Sequence, residues 1–218
     1  MVNRVSQVRN SSKSSSSSLS LPLLKLDIHC HSSLDPLDGP QGNDFVKYSW
    51  KEAIDTAARV GIDVFSLTHH EKLIFTKEME LYASKRGILL LPGFEATIEG
   101  RHVVIINPST DRITTFEQLA LERKRNPSCF ILAPHPYYPG SSPLDSYLTK
   151  HIELFDAIEY CHFHGFGFDM FNKKAAKIAK QYNLPLIGTS DAHYLDTIGT
   201  TYTLIKSQKN KLFNFIKV

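Results

Sequence analysis

The amino-acid sequence predicts an α/β fold, and three observations carry this prediction. Seven short apolar runs recur along the chain, amphipathic stretches with helical spacing separate them, and no run approaches the ~20 apolar residues of a membrane span. Most runs are continuously apolar, as in strands of a parallel sheet that is covered on both faces. The pattern is therefore typical of an α/β domain whose sheet is either open or closed into a barrel.

The apolar runs define the predicted strands in order. They are Leu23–Ile28, Ile62–Leu67, Ile88–Leu91, Val103–Ile106, Phe130–Ala133, Ala157–Tyr160 and Leu186–Gly188. Residues 97–102 have the composition of a tight turn, so the strand before this turn and Val103–Ile106 are candidates for an antiparallel hairpin. Such a hairpin would make the sheet mixed at this point.

Helical periodicity fills the intervals between the strands. The clearest helix begins after Ser49, where Glu52 completes a capping box. The two strongest apolar stripes are Trp50, Ala53, Ile54, Ala57, Ala58 and Phe171, Ala175, Ile178, Ala179, Tyr182, and weaker ones lie around residues 79–83 and 116–120. The helices thus alternate with the strands.

The chain is expected to hold one folded domain, residues 21–218, after a Ser-rich tail. Residues 1–20 carry almost no large apolar side chains, so they cannot offset the entropy cost of ordering. The formal net charge is +3, but the excess of Lys and Arg lies in residues 1–20 and 205–218, and residues 21–204 are net acidic. An acidic body disfavours binding to long duplex nucleic acid, and no membrane partner is expected.

Three widely spaced cysteines, Cys30, Cys129 and Cys161, form no CxxC motif. They disfavour a disulfide scaffold or a zinc ribbon, and they favour a reducing compartment. The apolar run at residues 19–24 is too short for a signal peptide, so a cytoplasmic location is expected. Cys30 and Cys161 are predicted to pack between strands and helices.

Eight of the ten histidines come directly after an apolar run, which is the strongest pattern in the sequence. They are His29, His31, His69, His70, His135, His162, His164 and His193. In parallel α/β folds, ligands bind where strands end and loops begin. The histidines therefore predict a common site at the carboxyl ends of the strands.

The spacing of these residues indicates metal binding. His29 and His31 are two residues apart, so their side chains face the same way in an extended segment, and Asp191 and His193 repeat this spacing. Imidazole and carboxylate ligands suit zinc, manganese or iron. The candidates outnumber the ligands of one ion, which predicts two or three divalent ions that share carboxylates.

Each candidate also has an ordinary structural explanation. His135 could be a turn residue between two prolines, and Glu95 could be an isolated acid after a strand. Of His69 and His70 only one need bind a metal, because adjacent strand residues face opposite ways. His151 lies in a polar stretch and is expected at the surface.

Five segments of the chain, in order, resemble the PHP (polymerase and histidinol phosphatase) family of metal-dependent phosphoesterases. The segments are residues 27–31, 67–70, 92–95, 133–136 and 188–193, and the resemblance covers about residues 24–205. It implies a distorted TIM-like (β/α)7 barrel that holds up to three metal ions at the carboxyl ends of its strands.

The resemblance also implies a set of metal ligands. These are His29, His31, His70, Glu95, His135, Asp191 and His193, with Asp38 as an eighth ligand and Asp35 as its alternative. His102 begins a matching segment and is a candidate ligand or proton donor. The sequence departs from the family at His69, where an aspartate is usual, and at His162 and His164, which are additional.

The function implied is hydrolysis of a phosphate ester, either a small phosphomonoester or a nucleotide. A hydroxide that bridges two of the ions would attack phosphorus, with Asp191 and His102 as the catalytic side chains. The expected partner is a small phosphorylated substrate. Two alternatives stay open: an amidohydrolase-type enzyme that cleaves C–N bonds, and a non-catalytic metal-binding scaffold.

Overall fold

The computed structural model describes residues 21–140, 142–162 and 169–209, so the predicted tail lies outside the described residues. Strands β1–β8 are Leu23–Asp27, Val64–Leu67, Leu89–Ile98, Arg101–Ile106, Phe130–Ala133, Ala157–Tyr160, Leu186–Gly188 and Thr203–Lys206. Helices α1–α5 are Trp50–Arg59, Lys77–Ser84, Phe116–Arg125, Ser146–Lys150 and Asp169–Tyr182, and two 3₁₀ helices are Ile152–Leu154 and Leu195–Thr197. None of the helices in these ranges has the length and apolarity that crossing a bilayer requires.

The eight strands form one mixed sheet in the order β7-β6-β5-β4-β3-β2-β1-β8. Strands β1 to β3 are parallel, and so are β5 to β7. Strand β4 is antiparallel to both β3 and β5, and β8 is antiparallel to β1. Because β4 runs in the opposite direction, its first residues lie at the same end of the sheet as the last residues of the parallel strands.

The ends of the sheet approach each other, so the sheet is a nearly closed barrel. At the carboxyl ends of the parallel strands, Cys30 and Ala192 form an isolated parallel bridge between the segments that follow β1 and β7. The buried Asp27 carboxylate accepts hydrogen bonds from the backbone N–H groups of Ser190 at 2.9 Å and Gly199 at 3.3 Å. The prediction of a distorted TIM-like barrel is confirmed, and the structure adds the antiparallel strand β8.

Apolar side chains fill the barrel and hold its strands in place. The interior contains Leu24, Leu26, Ile28, Val64, Leu91, Val104, Ile106, Leu132, Ala157 and Ile187. A second cluster packs α1 and α2 against β2 and β3, and a third packs α3, α4 and α5 against β3 to β6. With apolar packing on both sides of these strands, the strand ends form a rigid frame for polar side chains.

Several local predictions are confirmed. Ser49 and Glu52 form the capping box of α1, and the predicted hairpin is present with Thr97 opposite His102. Strand β8 was not predicted, because it lies at the sheet edge and alternates partly buried with exposed residues. The expectation of a surface position for His151 is wrong. Its ring is half-buried and stacks on Phe116 with the centroids 4.0 Å apart, a contact that its polar neighbours in sequence could not reveal.

Gly93 in β3 tests the packing of the barrel. A Cβ atom at this position would lie 2.6 Å from Ser66 Oγ and 2.7 Å from Ile106 Cδ1. We therefore expect Gly93→Ala to lower the free energy of unfolding by about 1–3 kcal/mol, as overpacking does in other cores. Chemical denaturation measures this change. Gly140→Ala is the control, because nothing lies within 4 Å of the added carbon, and equal stability of the two variants would contradict the packing described.

Candidate metal centre

The barrel mouth collects imidazoles and carboxylates from six strands. The segments that follow β1, β2, β5 and β7 supply most of them, β3 supplies Glu95 within its length, and the antiparallel β4 adds His102 near its start. All the ligands implied by the sequence therefore lie at one end of the barrel. They are His29, His31, Asp38, His70, Glu95, His135, Asp191 and His193.

A first group surrounds two carboxylate oxygens at the barrel axis. Oδ1 of Asp191 lies 3.3 Å from Nε2 of both His29 and His31. Oε2 of Glu95 lies 3.2 Å from Nε2 of His29 and 3.5 Å from Nε2 of His31. Four side chains from three strand ends thus point nitrogen and oxygen atoms at one small volume.

A second group shares Glu95 through its other oxygen. Oε1 of Glu95 lies 2.9 Å from Nδ1 of His102 and 3.2 Å from Nε2 of His135. Glu95 is almost fully buried, so its two oxygens face two separate sets of imidazoles. This is the position that a carboxylate bridging two cations would take.

A third group surrounds Asp38. Oδ2 of Asp38 lies 2.9 Å from Nε2 of His193 and 3.5 Å from Nδ1 of His70. Nδ1 of His193 is 3.0 Å from the carbonyl oxygen of Asp191, which fixes the orientation of the ring. His70 links this group to the first, because its Nε2 lies 3.2 Å from Oε2 of Glu95.

Buried carboxylates behind the imidazoles orient them toward the centre. Nδ1 of His29 lies 2.7 Å from Oε1 of Glu159, and Nδ1 of His31 lies 2.7 Å from Oδ2 of Asp35. Asp35 also accepts a 2.8 Å hydrogen bond from the backbone N–H of His70. A carboxylate at Nδ1 keeps the proton there and turns the lone pair of Nε2 toward a cation.

The donor set fits divalent cations. When Nδ1 of His29 and His31 carries the proton, Nε2 of each ring presents a lone pair to carboxylate oxygens. Two hydrogen-bond acceptors that face each other repel unless a positive charge lies between them. Nε2 of His31 is buried and makes no hydrogen bond. The histidine and carboxylate clusters at the mouth indicate a site for more than one metal ion.

Without cations, protons compensate the buried negative charge. Burial acts to lower the pKa of His29, but the carboxylates of Asp191 and Glu159 outweigh it and raise this pKa well above its usual value. Burial likewise opposes the shift of His70, whose pKa rises to about 9 chiefly because of Glu95. Burial acts to raise the pKa of Glu95, and the surrounding imidazoles hold it well below its usual value.

Two candidate ligands have strained backbones. His135 has a φ of 26° and Asp191 a φ of 44°, in the region that residues other than glycine seldom occupy. Such strain persists only where the surroundings fix the conformation, and it is frequent at functional sites. The strain therefore supports a functional role for these two strand ends.

The remaining predicted residues separate into three cases. The buried His69 faces away from the clusters, with Nε2 2.6 Å from Ser32 Oγ. His162 lies beside Cys161 with Nδ1 3.8 Å from Sγ, and His164 falls outside the described residues. The orienting role of Glu159 was not predicted, although an acid inside the apolar run of β6 is a signal for such a role.

An open cleft of roughly 440 Å³ gives access to the centre. Its walls include His70, Glu95, His102 and Asp191 together with uncharged residues such as Tyr138. Among the described residues that line the cleft there is no Lys or Arg. An anionic ligand would therefore depend on bound cations for its attraction.

Comparisons with known proteins agree with this fold. A family model described as PHP-associated matches residues 169–216, and no curated protein matches the chain. The resemblance to the PHP family is confirmed.

Among solved structures, a two-domain protein from Bacteroides vulgatus containing a predicted PHP-like metal-dependent phosphoesterase has a TM-score of 0.58 and 23% identity. The alignment covers 79% of this chain and 53% of that protein, so the chain spans about half its length.

Two further solved structures have a similar fold. A proposed metal-dependent phosphoesterase from Bifidobacterium adolescentis has a TM-score of 0.57 at 14% identity, over 80% of this chain and 89% of the other. An amidohydrolase from Chromobacterium violaceum, solved with bound sulfate and no metal, has a TM-score of 0.59 at 15% identity, over 87% and 96%. At these identities the likeness concerns the fold.

Glu159→Gln tests the orienting carboxylate. The change keeps the volume of the side chain but weakens its charge-assisted hydrogen bond to Nδ1 of His29, so we expect divalent metal affinity to fall by about 10–100-fold. Isothermal titration calorimetry measures the affinity, and circular dichroism checks the fold. Glu153→Gln, at an exposed acid, should bind metal like the wild type. Equal affinity in Glu159→Gln would remove the orienting role.

Metal binding should release protons at neutral pH. The pKa of His70 is about 9 in the metal-free protein, so this ring is protonated at pH 7 and must lose its proton before it binds a cation. We therefore expect metal affinity to fall as the pH falls below about 9. Calorimetry at pH 7 in buffers of different ionisation enthalpy counts the released protons, and a heat that is the same in all buffers would contradict this expectation.

Proposed function

We propose that the protein is a metal-dependent phosphoesterase that hydrolyses a small phosphomonoester or a nucleotide. The observation that carries the proposal is the position of Glu95, whose Oε2 faces the first ligand group and whose Oε1 faces the second, so that cations in both groups would lie close enough to act on one phosphoryl group. The PHP-like fold of solved proteins named as phosphoesterases supports the same assignment.

Three subsites follow from the three groups. The first consists of His29, His31, Glu95 and Asp191; the second of Glu95, His102 and His135; and the third of Asp38, His70 and His193. These sets match the preferences of zinc, manganese or iron, and two or three ions would occupy them. We assign His102 to the second subsite, because Nδ1 faces the same carboxylate oxygen as His135.

The ions would supply Lewis acidity, neutralisation of phosphoryl charge and an activated water when bound. The protein side chains position these groups. Glu95 joins the first two subsites, while Glu159 and Asp35 fix the rings of His29 and His31 so that little reorganisation accompanies the reaction.

The cleft orients the substrate from the other side. Tyr138 lines it, and burial raises the pKa of this phenol, so the hydroxyl stays protonated at neutral pH. The open cleft also admits water, which would return a proton to the leaving group. The described lining contains no Lys or Arg that could bind a further anionic group beside the metal ions. A substrate with a single phosphate therefore suits the site.

The alternative reaction is metal-dependent cleavage of a C–N bond. It is favoured by the similar fold of the amidohydrolase from Chromobacterium violaceum. Rates with para-nitrophenyl phosphate and with amide or lactam substrates, measured with added manganese, zinc or iron, separate the two reactions.

Asp191→Asn tests the proposed centre. The change removes a negative charge shared by His29 and His31, so we expect kcat/KM for para-nitrophenyl phosphate to fall by more than about 100-fold, with the fold preserved. Asp196→Asn, at an exposed acid in a 3₁₀ helix, is the matched control and should keep full activity. Wild-type activity in Asp191→Asn would overturn the proposed centre. Metal binding without turnover on any ester would favour a non-catalytic scaffold.

A further inference from the structure

Cys161 and His162 come directly after β6, at the same barrel mouth as the metal centre. Strand β6 is parallel to β7, with Tyr160 opposite Gly188, so the residues that follow these two strands are neighbours. One ligand atom each from Cys161, His162 and Asp191 lie within 4.8 Å of one another. Cys161 and His162, which belong to none of the three nitrogen and oxygen subsites, thus lie next to Asp191 of the first subsite.

The chemistry of this cluster differs from that of the centre beside it. Of the candidate ligand clusters in the described part of the chain, this one alone contains a thiol. Sulfur, imidazole and carboxylate together favour thiophilic ions such as Zn²⁺ and Co²⁺ over Mg²⁺ or Mn²⁺. The site would therefore discriminate among cations in a way that the three nitrogen and oxygen subsites do not.

The backbone of Cys161 is held firmly, which fixes the position of its sulfur. The N–H of Cys161 donates to Oδ1 of Asn172 at 3.0 Å, and Nδ2 of Asn172 donates to the carbonyl oxygen of Cys161 at 2.9 Å. Both residues are buried, with exposed fractions of 3% and 4%. A ligand whose geometry is fixed before binding loses little entropy when the ion binds.

We propose that Cys161, His162 and Asp191 form an additional subsite that binds a thiophilic divalent cation next to the metal centre. On binding, the S–H bond of Cys161 breaks, its proton passes to solvent, and the sulfur forms a bond to the cation, so that no oxidant or reductant takes part. Asp191 belongs both to this subsite and to the first group, and this sharing places the added cation beside the phosphoesterase centre. The proposal concerns metal binding and does not depend on hydrolytic activity.

Titration of the metal-free full chain with Co²⁺ tests the proposal directly. Bonding between cobalt and a thiolate gives a charge-transfer absorption band in the near ultraviolet, whereas nitrogen and oxygen ligands give only weaker visible bands. We expect the band in the wild type, its loss on addition of Zn²⁺, and its persistence in excess Mg²⁺. A wild-type protein without the band at saturating Co²⁺ would overturn the proposal.

Variants assign the band to this cluster. Cys161→Ser and Cys161→Ala should both lose the band but keep the visible bands of the nitrogen and oxygen subsites, which also shows that the barrel is folded. Cys129→Ser is the matched control, because Cys129 is buried but belongs to none of the candidate metal-ligand clusters among the described residues, and it should keep the band. His162→Ala should raise the Co²⁺ concentration at half-saturation of the band at least about tenfold. Persistence of the band in Cys161→Ser would contradict the assignment, and so would loss of the band in a folded Cys129→Ser variant.

Discussion

The buried negative charge of Glu95 needs positive charge beside it, and the rest of the site is arranged around this carboxylate. Nitrogen atoms of five imidazoles lie within 3.5 Å of its two oxygens, contributed by His29, His31, His70, His102 and His135. Glu95 has an exposed fraction of only 1%. Burying its negative charge costs free energy unless positive charge lies beside it. In the metal-free protein protonated imidazoles can provide this compensation, and in the loaded protein cations would provide it.

The architecture of the barrel explains how so many ligands reach one carboxylate. Parallel strands bring their carboxyl ends to one mouth, and the reversed strand β4 brings its start to the same place. The bridge between Cys30 and Ala192 joins the two ends of the sheet at this mouth, where His135 and Asp191 have positive φ angles. The cost of this strain, about 1–3 kcal/mol for each residue, is offset by the packed barrel beneath.

Much of this arrangement could be predicted from the sequence, because its strongest signals are local. Histidines directly after apolar runs predicted a site at the strand ends, and the spacing of His29 and His31 predicted that their side chains face the same way. Strand β8 could not be predicted from periodicity, since an edge strand that is half-exposed lacks a continuous apolar run. The interior of the barrel, in contrast, leaves a clear apolar signature.

The sequence does not show which carboxylates orient the histidines and which face the metal subsites. Asp35 and Asp38 are close together in the chain, and only the fold shows that Asp35 stands behind His31 while Asp38 faces His193. Glu159 contacts His29 across 130 positions, so its place inside an apolar run marks it as unusual, but only the fold identifies its partner. The substitution at His69 has a simple structural outcome, because the ring turns to Ser32 and leaves the ligand set intact.

The proposed function requires these converging side chains to hold several divalent cations at once. Metal content per chain, measured by inductively coupled plasma mass spectrometry after saturation and removal of excess metal, tests it most directly. We expect at least two tightly held ions in the wild type, and a single ion or none would show that the side chains do not form a centre for several cations.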